Sequence, residues 1–279
     1  MTYRSIFVHV DDSPQSAQRL DVAVRLARRY PAEVLGTYVV STRDLGVTEA
    51  ALMPPEIVQS HRATALKAQE DAEARFRSAI ASGGVAASTW MAPAGDAIEA
   101  AVTRARYADL AIVGQPAPRS PDAGFQTELA NAIVMESGRP ALMVPYIGAG
   151  ETLGERVVIA GKDSGESARA VADALPFLKD AREVLAVAVT PRADETVQEY
   201  ISDKAVEGFL RRHGVHATVK RSTAQDIAAG EFLLSRAADF GADLIVMGGY
   251  SRPRLSRLIW GGVTATMLAS MTVPVLMAH

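Results

Sequence analysis

Short apolar runs alternate with amphipathic stretches along the whole chain. Ile6 to Val10 is apolar and β-branched, which predicts a buried strand. Asp11–Asp12–Ser13–Pro14 follows, with Ser13 as a helix N-cap and Pro14 in the first helical position. Ala17, Leu20, Val24 and Ala27 keep helical spacing, and Arg28–Arg29 suit the helix C-terminus. A second strand is expected over Val34 to Val40. Residues 41–55 have turn character, and a long helix is expected from Glu56 to Ser82, stopped by Gly83–Gly84. A weak strand, Val85 to Met91, and a helix capped by Asp96 and running to Tyr107 come next. The copy closes with a strand at Leu110 to Val113, a proline-rich loop from Gln115 to Asp122, a helix from Phe125 to Glu136 and a strand at Ala141 to Val144.

The pattern then restarts. Arg156 to Ala160 repeats Ser5 to His9, Asp163–Ser164 repeats Asp12–Ser13, and Glu183 to Val189 repeats Glu33 to Val39. Gly214–Val215, Asp243–Leu244, Gly248 and Pro274 repeat Gly84–Val85, Asp109–Leu110, Gly114 and Pro140. An ordered repeat of this kind indicates tandem duplication. Its offset changes between the second and third strands, so the first copy carries an insertion around Ser41 to Ser60. The expected domains are residues 1–146 and 155–279, with 147–154 as linker. The glycines Gly148, Gly150 and Gly154 in that linker do not form a dinucleotide fingerprint, because the third is one place late and no helix follows. Each copy reads as five strands alternating with four helices. The expected fold class is therefore α/β, two tandem doubly wound domains with parallel sheets and helices on both faces.

Composition narrows the function. The chain has 279 residues, 48% hydrophobic and 22% charged, as expected of a soluble globular protein. Its net charge of −3 gives no field for nucleic acid or an anionic membrane. No cysteine is present, which excludes disulfides and thiol catalysis and suits a cytoplasmic setting. The start, MTYRSIFVHVDD, lacks a signal-peptide pattern, and no apolar run approaches the roughly 18 residues of a membrane span.

The most informative stretch is Asp243 to Val275. Leu244 to Met247 is a buried-strand run closed by Gly248–Gly249. A basic loop follows, then Gly261–Gly262, a helical segment from Val263 to Ser270, and a last strand at Val275 to Ala278. Such a strand–glycine turn–helix unit presents backbone N–H groups where a phosphate could sit. Gly248, Ser251, the nine residues from Arg252 to Trp260, and Gly261–Gly262 keep the spacing of G-x-x-G, nine residues, G-[S/T]. In this the chain resembles the universal stress proteins, with Ser251 in place of the second glycine and Gly262 in place of the hydroxyl residue. Val10–Asp11–Asp12–Ser13 matches the family's V-D-x-S. The resemblance covers nearly the whole chain twice. It implies strand order 3-2-1-4-5 in each copy, ATP in the crevice at the carboxyl ends of the first and fourth strands, and pairing of copies through their fifth strands.

Carried onto these residues, the resemblance places Asp11 on the adenosine side of a first crevice. Without the resemblance, Asp11 and Asp12 read first as a plain helix start. The phosphate side of that crevice is poor, since Pro116, Pro118 and Pro121 remove N–H donors and Thr127–Glu128 replaces the glycine pair. The second crevice is the converse. Gly248, Ser251, Arg252, Gly261, Gly262 and Val263, with Arg254 and Arg257, form a candidate phosphate side. Lys162 stands in the carboxylate's place and cannot accept a hydrogen bond, so that contact is lost or moves to Asp163. From the residues alone the arginines read first as a solvated face. His213 and His216 lack further ligands for a metal, and His9 reads as a packed histidine. Three readings follow: a non-catalytic sensor with ATP in the second copy, an apo scaffold with protein partners, and a nucleotide-hydrolysing enzyme, which lacks an evident base or nucleophile. An internal pseudo-dimer, with further homodimerisation left open, is expected. Residues 43–55 are expected to be mobile or to form a flap over the first crevice.

Overall fold

Neighbouring residues on the central strands face opposite sides of the sheet, and nearly all are apolar and buried. That is what a parallel sheet covered by helices on both faces requires. The structure is a computed structural model describing residues 2–41, 53–117, 120–161, 164–190, 203–223, 229–249 and 262–279. The first copy contains β1 (Ser5–Val10), α1 (Gln15–Arg29), β2 (Glu33–Tyr38), α2 (Pro55–Gly83), β3 (Ser88–Met91), α3 (Ala97–Ala105), β4 (Leu110–Gly114), α4 (Ala123–Glu136) and β5 (Ala141–Val144). The second contains β6 (Arg156–Gly161), α5 (Gly165–Asp173), α6 (Leu175–Asp180), β7 (Glu183–Thr190), α7 (Asp203–Arg212), β8 (Ala217–Thr223), α8 (Ala229–Phe240), β9 (Leu244–Gly248), α9 (Gly262–Ser270) and β10 (Val275–Ala278).

All ten strands join one sheet, in the order β3-β2-β1-β4-β5-β10-β9-β6-β7-β8. Within each copy this is the order 3-2-1-4-5, with every pairing parallel. The copies meet through β5 and β10, which pair antiparallel with Leu142 opposite Leu276. The apolar fifth strands, edges in a lone domain, thus cover one another. Because that pairing is antiparallel, the two copies present the carboxyl ends of their strands at opposite ends of the sheet.

Two cores follow from the alternation. One joins Ile6, Val8, Leu142, Val246 and Leu276 to helices α1, α2, α5, α6 and α7. The other joins Phe7, Ala111, Met143, Ile245 and Met277 to α3, α4, α8 and α9. Each core contains residues of both copies. At the seam the rings of Tyr3, Tyr30 and Phe177 pack with centroids 5.3–5.8 Å apart. Arg29 bonds Asp180 at 3.0 Å and the Leu153 carbonyl at 2.7 Å, and Arg25 donates to the carbonyls of Gly150 and Glu151.

Several elements differ from expectation. Pro14, not Ser13, takes the N-cap position of α1, with no side-chain cap; the Ser13 hydroxyl turns back to donate to Asp11 at 2.6 Å. Among the described residues α2 has 29 residues and its counterpart α7 has 10. Only Ala72, Phe76 and Ile80 of α2 are buried, at four-residue spacing, and Phe76 fills the space left by Gly36, whose Cβ would lie 2.5 Å from the ring. The second copy's first helix is broken into α5 and α6 at Pro176, which has no N–H to continue the ladder. Asp96 caps α3 as expected, accepting from Ile98 and Glu99 at 2.9 Å. The expected flap lies mostly outside the described residues.

Candidate functional site

The first crevice, at the carboxyl ends of β1 and β4, is built around a buried ion pair. Arg19 projects from α1 and is 3% exposed; Asp11, just past β1, is 6% exposed. The guanidinium Nη2 donates to Asp11 Oδ1 at 2.6 Å and Nε donates to the His9 carbonyl at 2.9 Å. Asp11 Oδ1 also accepts from the Ser13 N–H and hydroxyl, at 3.0 and 2.6 Å. The Arg19 guanidinium lies against Gly114, where a Cβ would stand 2.7 Å from Nη1. The glycine that ends β4 thus makes room for an internal cation. Around it, Tyr38 donates to Asp12 Oδ2 at 2.8 Å, and Arg75 of α2 reaches the Asp11 carbonyl and Asp12 Oδ1 at 3.3 and 3.4 Å. What remains is a small pocket lined by His9, Arg19, Val113, Gly114, Gln115, Gln126, Leu129 and Ala130.

Electrostatics match this geometry. Burial would raise the Asp11 carboxyl, but Arg19 foremost, then His9 and the bonds from Ser13, hold it below its ordinary value. His9 is packed, with Nε2 2.8 Å from the Val39 carbonyl and 3.5 Å from Asp11 Oδ2, which assigns the proton to Nε2. Burial, then the neighbouring Arg19, lower its pKa to about 4, against the opposing pull of Asp11. Below the unfolded value of about 6.5 the unfolded chain binds a proton at His9 that the folded chain refuses, so stability falls with pH down to about 4. Asp11 acts in the same direction, contributing stability that is lost below the ordinary carboxylate range as the pH falls through its depressed value. His9→Gln should flatten the stability profile between about pH 6.5 and 4 in urea titrations; a variant whose profile stays as steep as the parent's would refute this assignment.

The second crevice, at the carboxyl ends of β6 and β9, differs at one decisive position. Ser16 and Ser167 are repeat equivalents, which makes Ala170 the counterpart of Arg19. Ala170 is fully buried in the apolar core, so no guanidinium enters from α5. Ser164 caps α5, its hydroxyl accepting from the Ser167 N–H at 3.3 Å. Gly248 ends β9 where a Cβ would lie 2.7 Å from the Ser167 nitrogen and 2.9 Å from the Glu166 carbonyl carbon, so helix packing itself requires this glycine. Gly262 opens α9 with nothing within 4 Å of its Cβ position, and Val263 is 37% exposed. Among the described residues nothing covers the Cβ position of Gly262, and the first backbone N–H groups of α9 lack intrahelical partners. Gly230 of α8 packs on this helix, its Cβ position 2.7 Å from Thr266.

Of the sequence-derived candidates, Gly248, Gly262 and Val263 lie on the elements that frame the second crevice, and Asp11 lies in the first. Ser251, Arg252, Gly261 and Asp163, with Lys162, Arg254 and Arg257, lie outside the described residues. Asp11 and the glycines cannot share one ligand, because the crevices open at opposite ends of the sheet. Sequence reasoning missed Arg19. Its signal was a charged residue three before Val22 and four before Ala23, on the stripe α1 buries. Gln115, 4% exposed and bonded to both copies, was missed as well. Among the described residues no cluster of three or more potential metal ligands occurs, and no helix is long and apolar enough to cross a membrane.

Comparison with known proteins adds the following. The model of the universal stress protein family matches residues 2–145 and 154–279. A universal stress protein from Archaeoglobus fulgidus DSM 4304 superposes with a TM-score of 0.73 at 17% identity, covering 98% of this chain and 95% of that one. A functionally unknown protein from Pseudomonas aeruginosa PAO1 gives 0.56 at 16% identity, covering 99% and 92%. At these identities the likeness is one of fold. No curated protein matches the sequence.

Proposed function

The chain belongs to the universal stress protein family, and from that premise we propose that it is a cytoplasmic, non-catalytic, nucleotide-linked sensor with one working crevice, in the second domain. ATP is the ligand. The observation that carries this reading is the contrast between Arg19 and Ala170: the first helix of the first copy sends a guanidinium into its crevice, and the equivalent residue of α5 is a buried alanine. The unpartnered N–H groups at the start of α9 support a phosphate there, and the sequence that leads into it carries Gly261 for close approach and Arg252, Arg254 and Arg257 for positive charge. Asp163 takes the adenosine side because Lys162 cannot accept. The hydroxyl of Ser164 caps a helix, which argues against a nucleophile. The sensor acts through protein partners on an internal pseudo-dimer.

Calorimetric titration with ATP, ADP and AMP tests the proposal. One nucleotide per chain is expected, with ATP much tighter than AMP and ATP and GTP differing little, since the phosphates dominate. Gly261→Phe should abolish binding. Two nucleotides per chain, or strong discrimination against GTP, would overturn this reading. Undetectable binding at millimolar nucleotide would favour an apo scaffold, a reading that the packing of Gly248 against α5 supports.

A further inference from the structure

We propose that Gln115 is a positioning residue for the nucleotide crevice of the second domain, and that the filled first crevice serves as the anchor of α9. The proposal rests on the nucleotide reading above. Gln115 directly follows Gly114, the residue wedged against Arg19. Its own N–H bonds the Val144 carbonyl at 2.8 Å, which continues the β4–β5 pairing. Its carboxamide is buried and used at both ends. Oε1 accepts the Tyr146 N–H at 3.0 Å, and Nε2 donates to the Leu268 carbonyl of α9 at 2.6 Å. The backbone N–H of Tyr146 can only meet the oxygen, so the amide orientation is fixed and the nitrogen must face Leu268.

The Leu268 carbonyl is one of the last four of α9, which have no partner within the helix. Gln115 satisfies it across the seam between the domains. α9 has nine residues, a length at which a helix is marginal without external contacts. It spans about 13 Å, with its first residue, Gly262, at the second crevice and its last turn at the first. Fixing the carboxyl end of so short a rod, with Gly230 seating its middle, sets where its N–H groups point. The tie runs one way. The counterpart of Gln115 in the second domain is Gly249, which has no side chain to make the reciprocal bond; its Cβ position lies 3.1 Å from Val134 of α4. The domain whose crevice takes in Arg19 thus holds the helix of the domain whose equivalent position is Ala170.

The test compares full-length Gln115→Leu, Gln115→Glu and Phe76→Leu with the parent. Phe76 lies in the opposite core and controls for general loss of stability. Two measurements are made: amide hydrogen exchange across residues 262–270 without nucleotide, and affinity for ATP and AMP by calorimetry. Gln115→Leu should speed exchange in α9 by about tenfold and weaken ATP by about tenfold, the size of effect a lost buried hydrogen bond gives. AMP affinity and exchange in α4 should stay unchanged. Gln115→Glu keeps an acceptor for Tyr146 but loses the donor to Leu268, so it should behave like the leucine variant. Phe76→Leu should alter neither the exchange in α9 nor the ratio of ATP to AMP affinity. Parent-like exchange in α9 in both Gln115 variants, or equal weakening of ATP and AMP, overturns the proposal. If the parent binds no nucleotide, the nucleotide reading and the affinity half of the proposal fall together, and the exchange comparison still decides whether Gln115 holds α9.

Discussion

Replacing Arg19 with methionine should destabilise the protein by about 3–5 kcal/mol, the cost of leaving a buried charge without its partner. Asp11 would keep its two bonds from Ser13 but lose the guanidinium 2.6 Å away, at 6% exposure. The carbonyl of His9 would lose its donor as well. Asp11→Asn should cost a similar amount for the converse reason. The double variant should recover part of the loss, since two neutral groups of similar size leave no unpaired charge. Urea unfolding monitored by circular dichroism measures all three. A single-variant loss below about 1 kcal/mol, in the range of an exposed pair, would mean that solvent reaches the site and that the first crevice is not closed by Arg19.

Phe177→Ala should cost about 3–5 kcal/mol, because it removes a fully buried ring and leaves a cavity. The ring belongs to α6 of the second domain, yet its partners Tyr3 and Tyr30 belong to the first. Gly154, which carries φ +77° just before β6, is packed against it, with its Cβ position 2.7 Å from the ring. The loss should therefore loosen the seam and not merely one domain. The parent is expected to unfold in one transition, since both cores contain residues of both domains. The variant should show a broadened or split transition in calorimetry. A sharp single transition with an unchanged midpoint would show that the seam contributes little.

The sequence by itself determined the architecture. Runs such as Ile6 to Val10 and Leu244 to Met247 are apolar without alternation, and only a sheet covered on both faces accepts that. The ordered repeat then required two such units, and the weak third strand, Ser88–Met91, takes the edge that the resemblance implies. The strand-5 junction was legible through the resemblance, which makes strand 5 an edge and pairs copies there; the physical reason is that an apolar edge must be covered, and a second copy was at hand. Periodicity could not tell where Arg19 goes. A charge on a buried stripe can snorkel outwards or turn inwards, and the choice depends on Asp11 and Gly114, which lie in other elements and become neighbours only when β1 and β4 pair. That Gly248 also serves packing was hidden for the same reason, because the Ser167 backbone approaches it only once β9 and α5 have met. Gln115 was the least legible. Its partner is a carbonyl 153 residues away, brought near by the antiparallel pairing of two domains, and no local pattern encodes a contact with a backbone oxygen.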